Sequence, residues 1–202
     1  MSRNAVPKSD SHLPVLLLLA AGLFAIGTDG YVIAGLLPSI SADLGVGTAA
    51  VGRLVTVFAL AYAVGAPVAG RLTVRTSRRA VLLTALAGFA AANLATSIAG
   101  DYAAMLAARV AAALTASVFT PAAAAAATAL VMPERRGRAL ATVGAGMSAA
   151  TAVGVPLGTL IGGWLGWRTT LTAVAALATV TAIGLAVLLP PLPAGPNGPP
   201  HV

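Results

Sequence analysis

Two ionisable side chains stand where a chain this apolar should least tolerate them. Asp29 lies inside an apolar run that begins at Leu13, and Arg109 lies inside another. A charge at bilayer depth costs about 2.5 kcal/mol or more on insertion scales, so such residues mark proton relays, substrate paths or ion pairs. Asp29 is a carboxyl that can gain and lose a proton, whereas a guanidinium stays charged. Helical rise places Asp29 roughly 12 Å and Arg109 roughly 10 Å below the same end of their spans. Opposite charges at matching depth can pair across a cavity. Asp29 standing alone in a partly dry cavity is a second reading, and a static pair that fixes helix packing is the plainest.

A second constellation is conformational. Gly154, Gly158, Gly162 and Gly166 recur at intervals of four with Pro156 among them. That spacing predicts a glycine face allowing close helix approach. The proline removes a backbone donor and predicts a bend or a loosened turn. The run Ala122 to Ala127 implies only tight packing. A basic stretch, Gly70 to Leu83, carries Arg71, Arg75, Arg78 and Arg79 and by itself is a topology signal.

Other chemistry finds little support. The histidines are His12 and His201, near the ends, cysteine is absent, and Asp29 is the sole carboxylate within a span. Metal sites need several convergent ligands, so neither a metal, a cofactor nor an enzyme activity is expected.

These residues need a membrane scaffold to hold them. Of 202 residues, 58% are hydrophobic and 8% charged, against about 25% charged in soluble domains. The net charge of +7 comes from short arginine clusters without interleaved aromatics, which argues against nucleic acid. About 20 apolar residues cross a bilayer. Six segments qualify, roughly 14–37, 49–70, 80–100, 102–131, 139–165 and 168–189, giving an all-α integral membrane bundle of six transmembrane helices. The first run continues to Leu37 and predicts a retained helix rather than a cleaved signal peptide. The expected organisation is an N-terminal segment 1–12, a membrane domain 13–190 and a Pro/Gly-rich disordered tail 191–202. One side of the spans holds Arg3, Lys8, Arg71, Arg75, Arg78, Arg79, Arg135, Arg136 and Arg138; the other holds Arg53 and Arg168. By the positive-inside rule both termini are cytoplasmic, in a cell inner (plasma) membrane.

Four stretches together resemble the major facilitator superfamily, specifically its twelve-helix drug:proton antiporters of the arabinose-efflux-permease-like and chloramphenicol-resistance-like kind. They are GTDGYVIAGLLPSISADLGV in the first span, the loop GRLTVRTSRR, MLAARVAAAL in the fourth span and GVPLGTLIGGWLGWR in the fifth. The loop is similar to G-x-L-x-D-R-x-G-R-R, with Val74 and Ser77 where the family has Asp and Gly. In the fourth span Ala112 and Ala113 replace the common Gln-Gly. The resemblance covers residues 13 to 190 and fits the N-terminal six-helix half. It implies proton-coupled efflux of a small drug-like molecule or metabolite by alternating access. Asp29 and Arg109 would then line the proton and substrate cavity, Gly154, Pro156 and Gly158 would form the antiporter-motif bend, and Gly70, Arg71, Arg75, Arg78 and Arg79 a cytoplasmic gating loop. Protons, a small-molecule substrate and the lipid bilayer are the implied partners, with a second six-helix half or another copy supplying the far wall of the cavity. In a lone half, the charged pair is expected to face its open side. The competing class is a truncated, assembly or regulatory membrane protein without transport of its own.

Overall fold

The computed structural model describes residues 12–72 and 76–190, with the backbone alone at 70–72. The segments 1–11 and 191–202 expected as terminal tails, and Arg75, lie outside the described residues. Among those described, six helical segments are long and apolar enough to span a membrane. They comprise α1 (Leu13–Leu44), α2 (Thr48–Leu72), α3 (Arg78–Ser97), α4 (Tyr102–Ala129), the pair α5 (Arg136–Ala149) and α6 (Val155–Leu165), and α7 (Trp167–Leu188). A single π-helical turn, Ala150–Gly154, joins α5 to α6 into one span.

Several boundaries differ from expectation. The first span was expected to end before Pro38, because proline breaks the hydrogen-bond ladder. Instead α1 runs on to Leu44 with Pro38 inside it. The Ser39 hydroxyl donates to the Leu36 carbonyl at 2.9 Å, a local bond in the turn that the proline disturbs. The true stop is Gly45, whose φ of 62° lets its N–H cap the Ser41 carbonyl. The fourth span begins where Asp101 caps it, accepting from the Ala104 N–H at 2.8 Å.

α1 packs on α2, α5, α6 and α7 and touches α4, while α3 lies between α4 and α7. Two apolar clusters fill the interior. The larger, towards the end of the bundle where α1 begins, includes Leu19, Leu86, Phe89 and Phe119. The smaller, towards the opposite end, includes Val32, Ile33, Leu36, Leu54, Met105 and Leu171. Outward surfaces are apolar too, with Leu60, Val64, Trp164, Ile183 and Val187 exposed. Contiguous exposed apolar surface of this kind suits lipid or another hydrophobic partner, not water.

Arginines tie each end. At the α3 start, Ser77 caps the helix by accepting from the Ala80 N–H at 3.3 Å. Arg78 donates to the Ala125 carbonyl of α4 at 3.1 Å, and Arg79 to the Ala186 carbonyl of α7 at 2.5 Å. Both acceptors sit near helix C-termini, where a cation also meets the negative end of the macrodipole. At the opposite end Arg168 pairs with Asp43, donates to the Ala99 carbonyl at 3.0 Å and lies 4.3 Å over the Trp167 ring.

Candidate functional site

The Asp29 carboxylate and the Arg109 guanidinium meet at 2.5 Å, both with no exposed side-chain surface. A second guanidinium nitrogen donates to the Asp29 backbone carbonyl at 3.3 Å. Arg109 also lies over the Phe58 ring of α2, 4.4 Å from its centroid, and Phe58 stacks on Tyr62 at 6.4 Å. A cation on an aromatic face keeps part of its stabilisation even when a carboxylate partner changes state. Chain position explains the meeting. Asp29 falls between Ile26 of one apolar cluster and Val32 of the other, and Arg109 falls likewise between Met105 and Ala112. The pair is thus a polar layer between two apolar ones.

The expectation that this pair faces an open side of the six-helix unit is overturned, because both residues are fully enclosed by it. The guanidinium bonds inward to Asp29 and is covered by Phe58, so the bundle already shields the charge from lipid.

Asn93 of α3 belongs to the same layer and was not anticipated. Gly88 of α3 lies against Thr115 of α4, and five residues along these antiparallel helices bring Asn93 level with Val110, next to Arg109. Asn93 is fully buried, donates one amide hydrogen to the Phe89 carbonyl at 3.1 Å, and has its amide beside the Asp29 carboxylate. The available signal was a lone amide in an apolar span. Buried polar groups usually find partners. Here Asp29 Oδ2, Asn93 Oδ1, Arg109 Nε and Thr28 Oγ1 have none among the described residues.

On its other side α1 meets α5 and α6 through small residues. A Cβ on Gly146 would stand 2.0 Å from the Ala20 carbonyl oxygen, one on Gly154 would stand 2.1 Å from Thr28 Oγ1, and one on Gly158 would stand 2.7 Å from Val32. Gly162 would strike Leu36 at 2.3 Å. With Ala150, these residues form a seam stepping by four along both parallel helices. Gly166 does not belong to that seam; it has φ of 86° and turns the chain between α6 and α7. Pro156 sits just after the π turn, where the Val155 N–H reaches back to the Ala150 carbonyl. Such single-turn insertions interrupt a helix without breaking it.

The gating-loop residues divide. Gly70 and Arg71 occupy the last turn of α2, with their side chains outside the description, whereas Arg78 and Arg79 belong to the first turn of α3. On α1 the two sites use different faces: Asp29 meets Arg109 of α4, whereas Ala20, Thr28, Val32 and Leu36 meet the glycines of the fifth span. No group of three or more His, Cys, Asp or Glu is clustered among the described residues.

Comparison with known proteins gives the family. The model of the Major Facilitator Superfamily matches residues 19–201. A chloramphenicol resistance protein of Streptomyces lividans is 40% identical over 175 residues, covering 87% of this chain and 45% of that protein. The MFS-type transporter YbcL of Bacillus subtilis is 35% identical over 157 residues, covering 78% and 40%. The chain therefore spans about half the length of the curated relatives it matches. The inward-open structure of the xylose transporter XylE from E. coli superposes with a TM-score of 0.76 at 15% identity, covering 89% of this chain and 48% of that one.

Proposed function

Because the chain belongs to the major facilitator superfamily, a family of multi-pass membrane transporters, we propose that it serves proton-coupled export of a small drug-like molecule by alternating access. The observation that carries this reading is the Asp29–Arg109 pair, enclosed between apolar layers and shared by α1 and α4. A buried carboxylate held by one cation can be released by one proton, and release frees two helices to shift. Proton binding therefore becomes mechanical without any further cofactor. The drug-like substrate class is supported by the name of the Streptomyces lividans relative.

A superfamily cavity lies near the bilayer midplane between two six-helix halves, so the active unit pairs this bundle with a second half. The π turn with Pro156 is where the fifth span bends as the cavity opens, while the glycine seam keeps that span packed on α1. Arg78 and Arg79 hold the ends of α4 and α7 together on the cytoplasmic side. Both termini face the cytoplasm across the plasma membrane, in accord with the positive-inside distribution.

Deleting the gene in its own host tests the transport reading, since any second half remains present there. Cells lacking the chain are expected to accumulate more chloramphenicol or amphipathic dye, and a protonophore should erase that difference. Equal accumulation for every probe in energised cells overturns it. The topology has its own test in a chain without native cysteine. In intact cells, Thr76→Cys and Gly137→Cys are expected to resist an impermeant thiol reagent, and labelling of either from outside reverses the orientation.

A further inference from the structure

About midway along the fifth span, Pro133–Leu165, the backbone ladder is interrupted and two carbonyls are freed. In a regular helix the Val155 N–H would serve the Thr151 carbonyl; at the π turn it goes to Ala150 instead. Pro156 follows and has no N–H to offer Thr151 or Ala152, and a proline ring also crowds the carbonyl four residues before it. No side chain among the described residues donates to either oxygen. The Thr151 hydroxyl is itself turned back to the Ser148 carbonyl, at 2.9 Å. Facing lipid, each unpaired carbonyl would cost several kcal/mol, so such backbone persists only where protein or water covers it.

The exposed surface of the span is divided. Val153, Leu157, Leu160 and Trp164 recur at helical spacing as a bulky apolar stripe suited to lipid. Ser148, Ala152 and Pro156 form a second exposed stripe of small groups, none of them charged. That second stripe borders α1. Thr159 continues it and lies against Gly35, and a Cβ on Gly27 would stand 2.7 Å from Ala150. Tyr31, four residues from each of those glycines, therefore lies beside the freed carbonyls. It is 55% exposed, and its hydroxyl has no partner among the described residues.

We propose that the Thr151 and Ala152 carbonyls, with the Tyr31 and Ser148 hydroxyls, form a hydrogen-bond-accepting site on the cavity wall for a neutral molecule bearing hydroxyl or amide N–H donors. A neutral donor fits because the stripe carries no carboxylate to balance an ammonium. The assignment rests on the transport reading, which supplies the cavity, and adds to it the chemical class of the substrate.

Single cysteines in this cysteine-free chain test it in membranes from the host, where any second half is present. Ser148→Cys and Ala152→Cys are expected to react with a small charged thiol reagent roughly ten-fold faster than Val153→Cys and Leu157→Cys, because the reactive thiolate forms in water. Equal rates at all four positions overturn the site. Chloramphenicol, which carries hydroxyl and amide donors, should slow labelling of Ala152→Cys, and its diacetate, with the hydroxyls capped, should slow it less. Equal protection by the two, or protection by neither, overturns the donor-binding role. Ser148→Cys gives the same reading if Ala152→Cys folds poorly. Drug accumulation in the deletion strain is measured separately, so failure of this site leaves the transport reading standing.

Discussion

α1 is held on two sides by opposite kinds of contact. Towards α4 it presents Asp29, whose contact depends on charge and, in the proposed mechanism, is switched by a proton. Towards α5 and α6 it presents Ala20, Thr28, Val32 and Leu36 against Gly146, Gly154, Gly158 and Gly162. That contact depends on shape and is indifferent to pH. One helix thus carries a switchable side and a fixed side. A transporter needs such a division, because a proton can move helices only if something else keeps them assembled.

The largest effect is expected from stranding one charge. Asp29→Ala leaves Arg109 buried without its counter-ion, and breaking a buried pair in this way costs about 3–5 kcal/mol. Replacing both partners by apolar residues of similar bulk, Asp29→Leu with Arg109→Met, should recover most of that stability while activity stays lost. Thermal unfolding in detergent measures the first statement and drug accumulation the second. Recovery of activity in the apolar double variant breaks the distinction between the two sides of α1.

The fixed side should respond to volume. Gly158→Leu is expected to cost about 1–3 kcal/mol by overpacking, because Val32 and Thr170 already stand within 3.1 Å of a Cβ there. Ala173→Leu, on the exposed face of α7, should leave the melting temperature unchanged. Equal stability of the two variants removes the packed seam. A loss that varies with pH would make the fixed side switchable too.

The smallest effect is expected at the end of the bundle. Asp43→Asn removes a partner of Arg168 that is 42% exposed, where screened pairs contribute little. Its melting curve should overlay that of the wild type.

Much of this division was legible in the sequence. Six apolar runs and their breaks fix the helix count, and helical rise alone brought Asp29 and Arg109 to one depth. What escaped was what surrounds them. Enclosure by Phe58 and Asn93 depends on which helices are neighbours, and a run of apolar letters does not encode that. The glycine spacing pointed to a close face but misplaced its limits. Gly166 shares the interval of four yet serves a turn, while Gly146 lies earlier and meets the backbone of Ala20. Pro38 misled for a related reason: the rule that proline stops a helix describes the local ladder, and here the chain continues through it to Gly45.

The central claim is that Asp29 carries the proton that drives export. Inverted membrane vesicles from the host, energised to an internally acid state, test it most directly through a fluorescent pH-gradient probe. Adding drug to wild-type vesicles should partly dissipate the gradient. Asp29→Asn, present in equal amount and able to keep a hydrogen bond to Arg109, should produce no drug-dependent dissipation. Dissipation by Asp29→Asn equal to the wild type would contradict the claim and leave Asp29–Arg109 as a structural pair.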